Sequence, residues 1–269
     1  MDPSELTRHV SDATEFHFPW GMWHLPAVQG FQLTKFMVLE LLVGLVMLLV
    51  FIPLARRIRT GAPPRGITWN LFEAVLVFIR DEMARPAIGS HDAGRFLPFL
   101  WNTFFFILFC NLMGIVPWAG SPTAAMSVTA ALAAMAFLVT LGGGVAKCGF
   151  WGFVKGLVPH MELPWYMWIP MVFLIFPLEV LGLLIRHAVL AVRLLANMFG
   201  GHLALAAIVG FIAVAAQPPH AIGLWAGVTL SSVLGAAALT LLEIFVAFLQ
   251  AYVFTFLSAL FIGMAVHPH

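Results

Sequence analysis

Residues 165–216 read WYMWIPMVFLIFPLEVLGLLIRHAVLAVRLLANMFGGHLALAAIVGFIAVAA, an apolar stretch of more than forty residues with one break candidate, Pro177. A perpendicular crossing of the hydrocarbon core takes only ~20 residues, so this stretch is expected to tilt strongly or bend. Near its middle stands Arg193. A guanidinium cannot shed its charge by losing a proton. Placing one at the centre of a membrane helix costs ~2.5–3.5 kcal/mol on insertion scales, and such residues usually face a partner, a cavity or an ion path.

The composition agrees with a membrane setting. Of 269 residues, 62% are hydrophobic and 9% charged, with mean hydropathy +0.99, against ~25% charged residues in soluble domains. The net charge of +1 hides an uneven distribution, and no basic patch suited to nucleic acid is present. Cys110 and Cys148 are too few for a disulfide framework, lie in or beside apolar segments and are assigned to packing. No metal or cofactor motif is found, and the first residues lack the basic-then-apolar pattern of a cleaved signal.

Working outward, residues 1–35 are polar to aromatic, with His9, His17 and His24, and are expected to form an outer or interfacial arm. A first span over 36–54 ends at Arg56, Arg57 and Arg59, a cluster expected on the cytoplasmic side, which puts the N-terminus outside. Residues 67–84 carry Leu71, Phe72, Val75, Leu76 and Ile79 at helical spacing among Asn70, Glu73, Arg80, Asp81 and Glu82. That pattern fits a helix lying flat in the interface or one packed on protein. Residues 96–146 form a helical hairpin about a turn at 117–122, and Lys147 and Lys155 return the chain to the cytoplasm. After Leu163 only Glu179, Arg186, Arg193 and Glu243 are formally charged. A turn at 217–220 divides residues 165–266 into two long, oblique, antiparallel helices, giving five crossings with the C-terminus inside. The fold expected is therefore an all-α integral membrane protein of one domain, residues 1–269, with no internal repeat.

At 100° per residue, positions seven apart nearly eclipse, so Glu179, Gly182, Arg186, Arg193, Asn197 and Gly200 share one stripe. Small residues on such a stripe admit a neighbouring backbone. His202, nine residues beyond Arg193, points away from it. Glu243 and Gln250 share a face of the second long helix. Antiparallel packing pairs residues of constant index sum, and Arg193 with Gln250 (443) and His202 with Glu243 (445) come out in register. His and Glu exchange protons near neutral pH when suitably placed, and Asn and Gln orient water between them. Glu179 lies fourteen residues from Arg193 on the cytoplasmic side.

Plainer readings compete at several positions. His187 and His220 fit interfacial or capping places near helix ends, Arg186 fits snorkelling, and His202 with Glu243 fits a satisfied buried pair. Asn111 fits a polar lining residue or an interhelical hydrogen bond, with lining preferred. A secondary transporter built on broken helices predicts paired Gly/Pro-interrupted repeats, which are not found. An intramembrane enzyme or haem protein using His187 and His202 lacks a ligand set on another span.

The segments Asn111-Leu112-Met113-Gly114-Ile115-Val116-Pro117, Pro177-Leu178-Glu179, Arg193-Leu194-Leu195-Ala196-Asn197-Met198-Phe199-Gly200-Gly201-His202 and Glu243 through Phe254 give the chain its resemblance. It resembles subunit a of the rotary F-type ATP synthases over most of its length. The resemblance implies that Arg193 is the stator arginine facing a ring of c subunits, with Gln250 close by. It also implies that Asn197, His202 and Glu243 line an inlet half-channel from outside, and that Glu179 borders the outlet. Some members carry the acid and the histidine exchanged between the last two helices. The same resemblance implies b-type peripheral stalk subunits and the rest of the ATP synthase complex as partners, the lipid bilayer as surroundings, no cofactor, and a bacterial inner membrane or an organellar one as location.

Overall fold

A computed structural model of the chain describes residues 15–18, 21–25, 27–28, 31–32, 34–59, 66–116, 120–156, 165–215 and 222–267. The turn expected at 217–220, with His220, and the first part of the 117–122 turn lie outside the described residues, as does His9. The body is helical. Five helices are long and apolar enough to cross a membrane, matching the five expected crossings.

The helices are α1 (Lys35–Arg59), α2 (Ile67–Phe78), α3 (Arg85–Ile88), α4 (Ala93–Ile115), α5 (Met126–Cys148), α6 (Phe150–Gly156), α7 (Trp165–Ala215) and α8 (Ile222–Val266). The described part of the N-terminal arm adds four short strands, which the sequence pattern did not predict. Glu15–Phe18 pairs antiparallel with Gly21–His24, and Ala27–Val28 pairs with Phe31–Gln32. Aromatic and β-branched residues beside turn-prone Pro and Gly favour such hairpins over helix.

Helix α7 runs 51 residues and passes through Pro177 without a break. At 1.5 Å per residue its contour is ~76 Å, far beyond the ~30 Å hydrocarbon core. Helix α8 is likewise a single helix of 45 residues. Both exceed an upright crossing, as their lengths in sequence demanded.

The contacts divide the chain into two compact units: Met1–Ile52, Phe105–Thr129 and Arg193–Ala251 in the first, Pro53–Phe104, Ala130–Val192 and Tyr252–His269 in the second. In the first unit Phe36, Leu39, Val43, Phe105, Ile107, Leu194 and Ala247 are buried, and Phe51 stacks edge-on against Phe105 at 4.7 Å. Antiparallel packing of α7 on α8 is explicit there. Asn197 bonds Gln250, Gly201 faces Glu243, and Gly235 faces Ile208, so the index sums stay between 443 and 447.

The second unit buries Ile79, Met83, Leu100, Phe104, Leu190, Phe254 and Ile262. Its amphipathic segment differs from the uniform helix expected over 67–84. Helix α2 buries none of its residues and leaves Ile67, Leu71, Val77 and Phe78 exposed, as a helix facing the interface would. A π turn at Ile79–Ala84 follows and buries Ile79, Met83 and Ala84. The segment then ends at Gly89, whose φ of 96° suits a residue without Cβ. The second half thus packs on protein, while the first half is left open. Trp101 donates its indole N–H to the Leu76 carbonyl at 3.0 Å, just before the π turn. Asp81 accepts from Arg80 at 2.9 Å and pairs with Arg85 at 2.7 Å. The Arg80 hydrogen bond holds the Asp81 carboxyl below its ordinary pKa against desolvation, with lesser help from the charges of Arg80 and Arg85.

Candidate functional site

In the first unit, Arg193 stands near the middle of the apolar window Met171–Ile212 and is exposed. Among the described residues no carboxylate lies within ion-pair distance of it, and no side chain or carbonyl takes its hydrogen bonds. Its neighbours Leu190 and Leu194 are buried and anchor that turn of α7, which leaves Arg193 on the open side. A cation so placed, without an intrachain partner, asks for a negative group on another molecule.

The amide expected beside Arg193 is used one turn further on. Asn197 Nδ2 donates to Gln250 Oε1 at 2.8 Å. Gln250 is buried between Ala247 and Ala251, so its carbonyl needs a donor, and an amide of matching reach on the same stripe supplies one. Asn197, one turn beyond Arg193, is thus the residue hydrogen-bonded to Gln250, while among the described residues no hydrogen bond joins Arg193 to Gln250.

Glu243 meets Gly201 rather than His202. A Cβ on Gly201 would stand 2.5 Å from Glu243 Oε1, so the missing side chain leaves the space that the carboxylate occupies. One residue further along α7, a rotation of ~100° turns His202 to a different neighbour. Its Nε2 lies 3.2 Å from where a Gly114 Cβ would be, on α4. That nitrogen is buried and has no hydrogen-bond partner among the described residues, and no ion pair joins His202 to Glu243. The two ionisable groups share a depth without touching. A satisfied buried pair is thereby excluded as the reason for either.

Asn111 closes a buried chain of hydrogen bonds. Thr123 Oγ1 donates to Asn111 Oδ1 at 2.7 Å, and Asn111 Nδ2 donates to the Ala247 carbonyl at 3.4 Å. Ser121 Oγ lies 2.6 Å from Thr123 Oγ1 and 3.2 Å from the Cys110 carbonyl. The contacts fit the interhelical reading of Asn111, joining α4 to α8, better than the lining one. Cys110 is buried and Cys148 partly so, both free thiols, in keeping with the packing role expected of them.

In the second unit, Glu179 pairs with Arg186 at 3.6 Å, seven residues along α7. The spacing that placed both on one stripe also lets them pair, so Arg186 is a partner to Glu179 as well as a residue near a surface. Both line a cavity of about 590 Å³ together with Pro86, Phe153, Phe261 and His267. The walls contributed by Pro86 and His267 carried no sequence signal, since they come from distant segments. His187 departs from its expected place near a helix end. It lies within α7, buried, between the rings of Phe137 and Phe261 at 5.3 and 5.0 Å. Its Nδ1 donates to the Leu183 carbonyl at 2.9 Å, and Nε2 lies 3.4 Å from Thr140 Oγ1. This is a packed, hydrogen-bonded histidine. No cluster of potential metal ligands occurs among the described residues.

These features define a polytopic helical membrane protein that holds unpaired ionisable groups at membrane depth. Comparison with known sequences is specific. A family profile described as ATP synthase A chain matches residues 37–263. A protein named ATP synthase subunit a from Myxococcus xanthus is 36% identical, over 100% of this chain and 93% of its own length. One of the same name from Chloroherpeton thalassium is 40% identical over 98% of this chain and 78% of its own. Another, named ATP synthase subunit a 2, from Chlorobaculum tepidum is 36% identical over 97% and 72%. The chain belongs to the ATP synthase A chain family.

Proposed function

We propose that the chain is the proton-conducting stator subunit of a rotary F-type ATP synthase. Its assembly partners are the other subunits of that complex, among them a ring of c subunits and b-type peripheral stalk subunits. The membrane is a bacterial inner membrane with the N-terminus outside, in keeping with Arg56, Arg80, Arg85 and Lys147 gathered toward one side of the sequence's spans. The observation that carries the proposal is Arg193: a permanent charge in mid-span, exposed and unpaired among the described residues.

The mechanism follows from electrostatics. A proton entering from outside passes Glu243 and His202, then the Asn197–Gln250 amides, and neutralises a ring carboxylate, which can then turn to lipid. After nearly a full rotation the same carboxyl reaches the outlet bordered by Glu179. It ionises there because its charged form is favoured near Arg193. The fixed positive charge also repels protons and so blocks a direct leak between inlet and outlet. Asn111 braces the wall that holds Gln250's helix. Each proton crossing 100 mV releases ~2.3 kcal/mol, so several are needed per ATP. The chain performs no ATP chemistry itself. A secondary transporter is less well supported, because α7 and α8 are continuous where such a transporter breaks its helices.

The test is Arg193→Ala in the complete complex in membrane vesicles. Assembly is expected to be normal while proton-driven ATP synthesis is lost. Coupled synthesis at the wild-type rate would overturn the stator assignment.

A further inference from the structure

The cavity that holds Glu179 and Arg186 is also lined by His267, at the end of α8. His267 is half exposed. Its Nε2 lies 3.1 Å from the Ile88 carbonyl and 3.3 Å from Asp92 Oδ2. The Ile88 carbonyl and the Asp92 carboxylate, the two nearer partners, only accept and so favour the hydrogen on Nε2, leaving the lone pair of the neutral ring on Nδ1. Lys147 pairs with the same Asp92 carboxylate, and its Nζ lies 3.5 Å from the same Nε2. His91, itself almost fully exposed, touches Asp92 at 3.4 Å. Asp92 thus stands among three basic side chains and offsets the charge that His267 would gain.

We infer that His267 is the proton-release residue at the mouth of the Glu179 cavity. Resting on the half-channel reading above, the inference names the group that hands protons from the cavity to bulk water. The relay is balanced. Nδ1 takes a proton from cavity water, the imidazolium forms against the Asp92 carboxylate, and the same proton leaves Nδ1 to solvent, restoring the neutral ring. Among the described residues, Glu179, Arg186, Asp92, Lys147 and His91 are the charged or titratable groups around it.

The experiment compares the wild-type complex with His267→Gln in membrane vesicles, measuring proton flux and ATP synthesis at low buffer capacity on the cytoplasmic side. Glutamine keeps an N–H for Ile88 but binds no proton. Flux is expected to fall about three- to tenfold, short of the ~100-fold of an obligatory acid–base group because water also reaches the cavity. Added imidazole on that side is expected to restore it. Unchanged flux at low buffer overturns the inference, as does a loss that imidazole leaves in place, which marks His267 as a structural tie. Glu179→Gln separates the two levels. If it slows flux while His267→Gln does not, only the relay fails; if Glu179→Gln has no effect, the outlet reading itself fails.

Discussion

Asn197 and Gln250 form an amide-to-amide hydrogen bond of 2.8 Å between α7 and α8, while Arg193, one turn earlier, has no partner among the described residues.

Asn197→Leu removes the donor and leaves the buried Gln250 carbonyl unsatisfied, which costs ~1–3 kcal/mol. The double variant Asn197→Leu with Gln250→Leu is expected to recover part of that loss, since neither polar group is then orphaned. Thermal unfolding of the purified protein in detergent reads both. A double variant no more stable than Asn197→Leu would show that the bond carries no such energy.

Gly201→Ala places a methyl 2.5 Å from Glu243 Oε1. The displaced atoms are the far end of a flexible side chain, so the helix pair should remain packed while the carboxylate moves. Near-normal assembly with slowed proton flux is the expected outcome in vesicles. Loss of the assembled subunit instead would mean that the close approach serves packing.

At Gly263 the neighbour is backbone. A Cβ there would collide with the Ala87 carbonyl, which cannot rotate away. Gly263→Ala is expected to destabilise the second unit by ~1–3 kcal/mol, in the range for overpacking. Cleavage by a protease near residues 85–89 at lower temperature than in the wild type would report it.

Asp92 has its carboxyl held below the ordinary value, first by the hydrogen bond from Lys147 and then by His91, against desolvation. A depressed folded-state pKa contributes stability that is complete above the unfolded value of about 3.9 and is lost as pH falls through the lower folded one. Asp92→Asn should therefore lower the melting temperature at neutral pH and make progressively less difference as the pH falls below about 4. A difference that persists unchanged at the acid end would assign the effect to packing.

The spans, their number and the two long helices were legible because hydrophobic length is set by the bilayer, whatever the tertiary detail. The register of α7 on α8 was legible too, since an antiparallel pair conserves index sums, but only to within a few residues. That margin decided the contacts: a four-residue step replaced Arg193 with Asn197 opposite Gln250, and one residue replaced His202 with Gly201 opposite Glu243. His187 was misplaced because the residues that enclose it, Phe137, Thr140 and Phe261, come from other helices and leave no mark beside it in the sequence. The cavity walls from Pro86 and His267 could not be read from pattern, since they meet only through the folding of separate segments.

The π turn at Ile79–Ala84 acts as a phase shifter. Bonding from i to i+5 fits about one more residue into a turn, rotating everything downstream by roughly 100° relative to a plain α-helix. The first half can therefore leave Ile67, Leu71, Val77 and Phe78 exposed while Met83 and Ile88 plunge into protein, all on one uninterrupted backbone. Deleting a single residue within that turn would reset the phase and trade the inward side chains for the outward ones, although nearly every amino acid would remain.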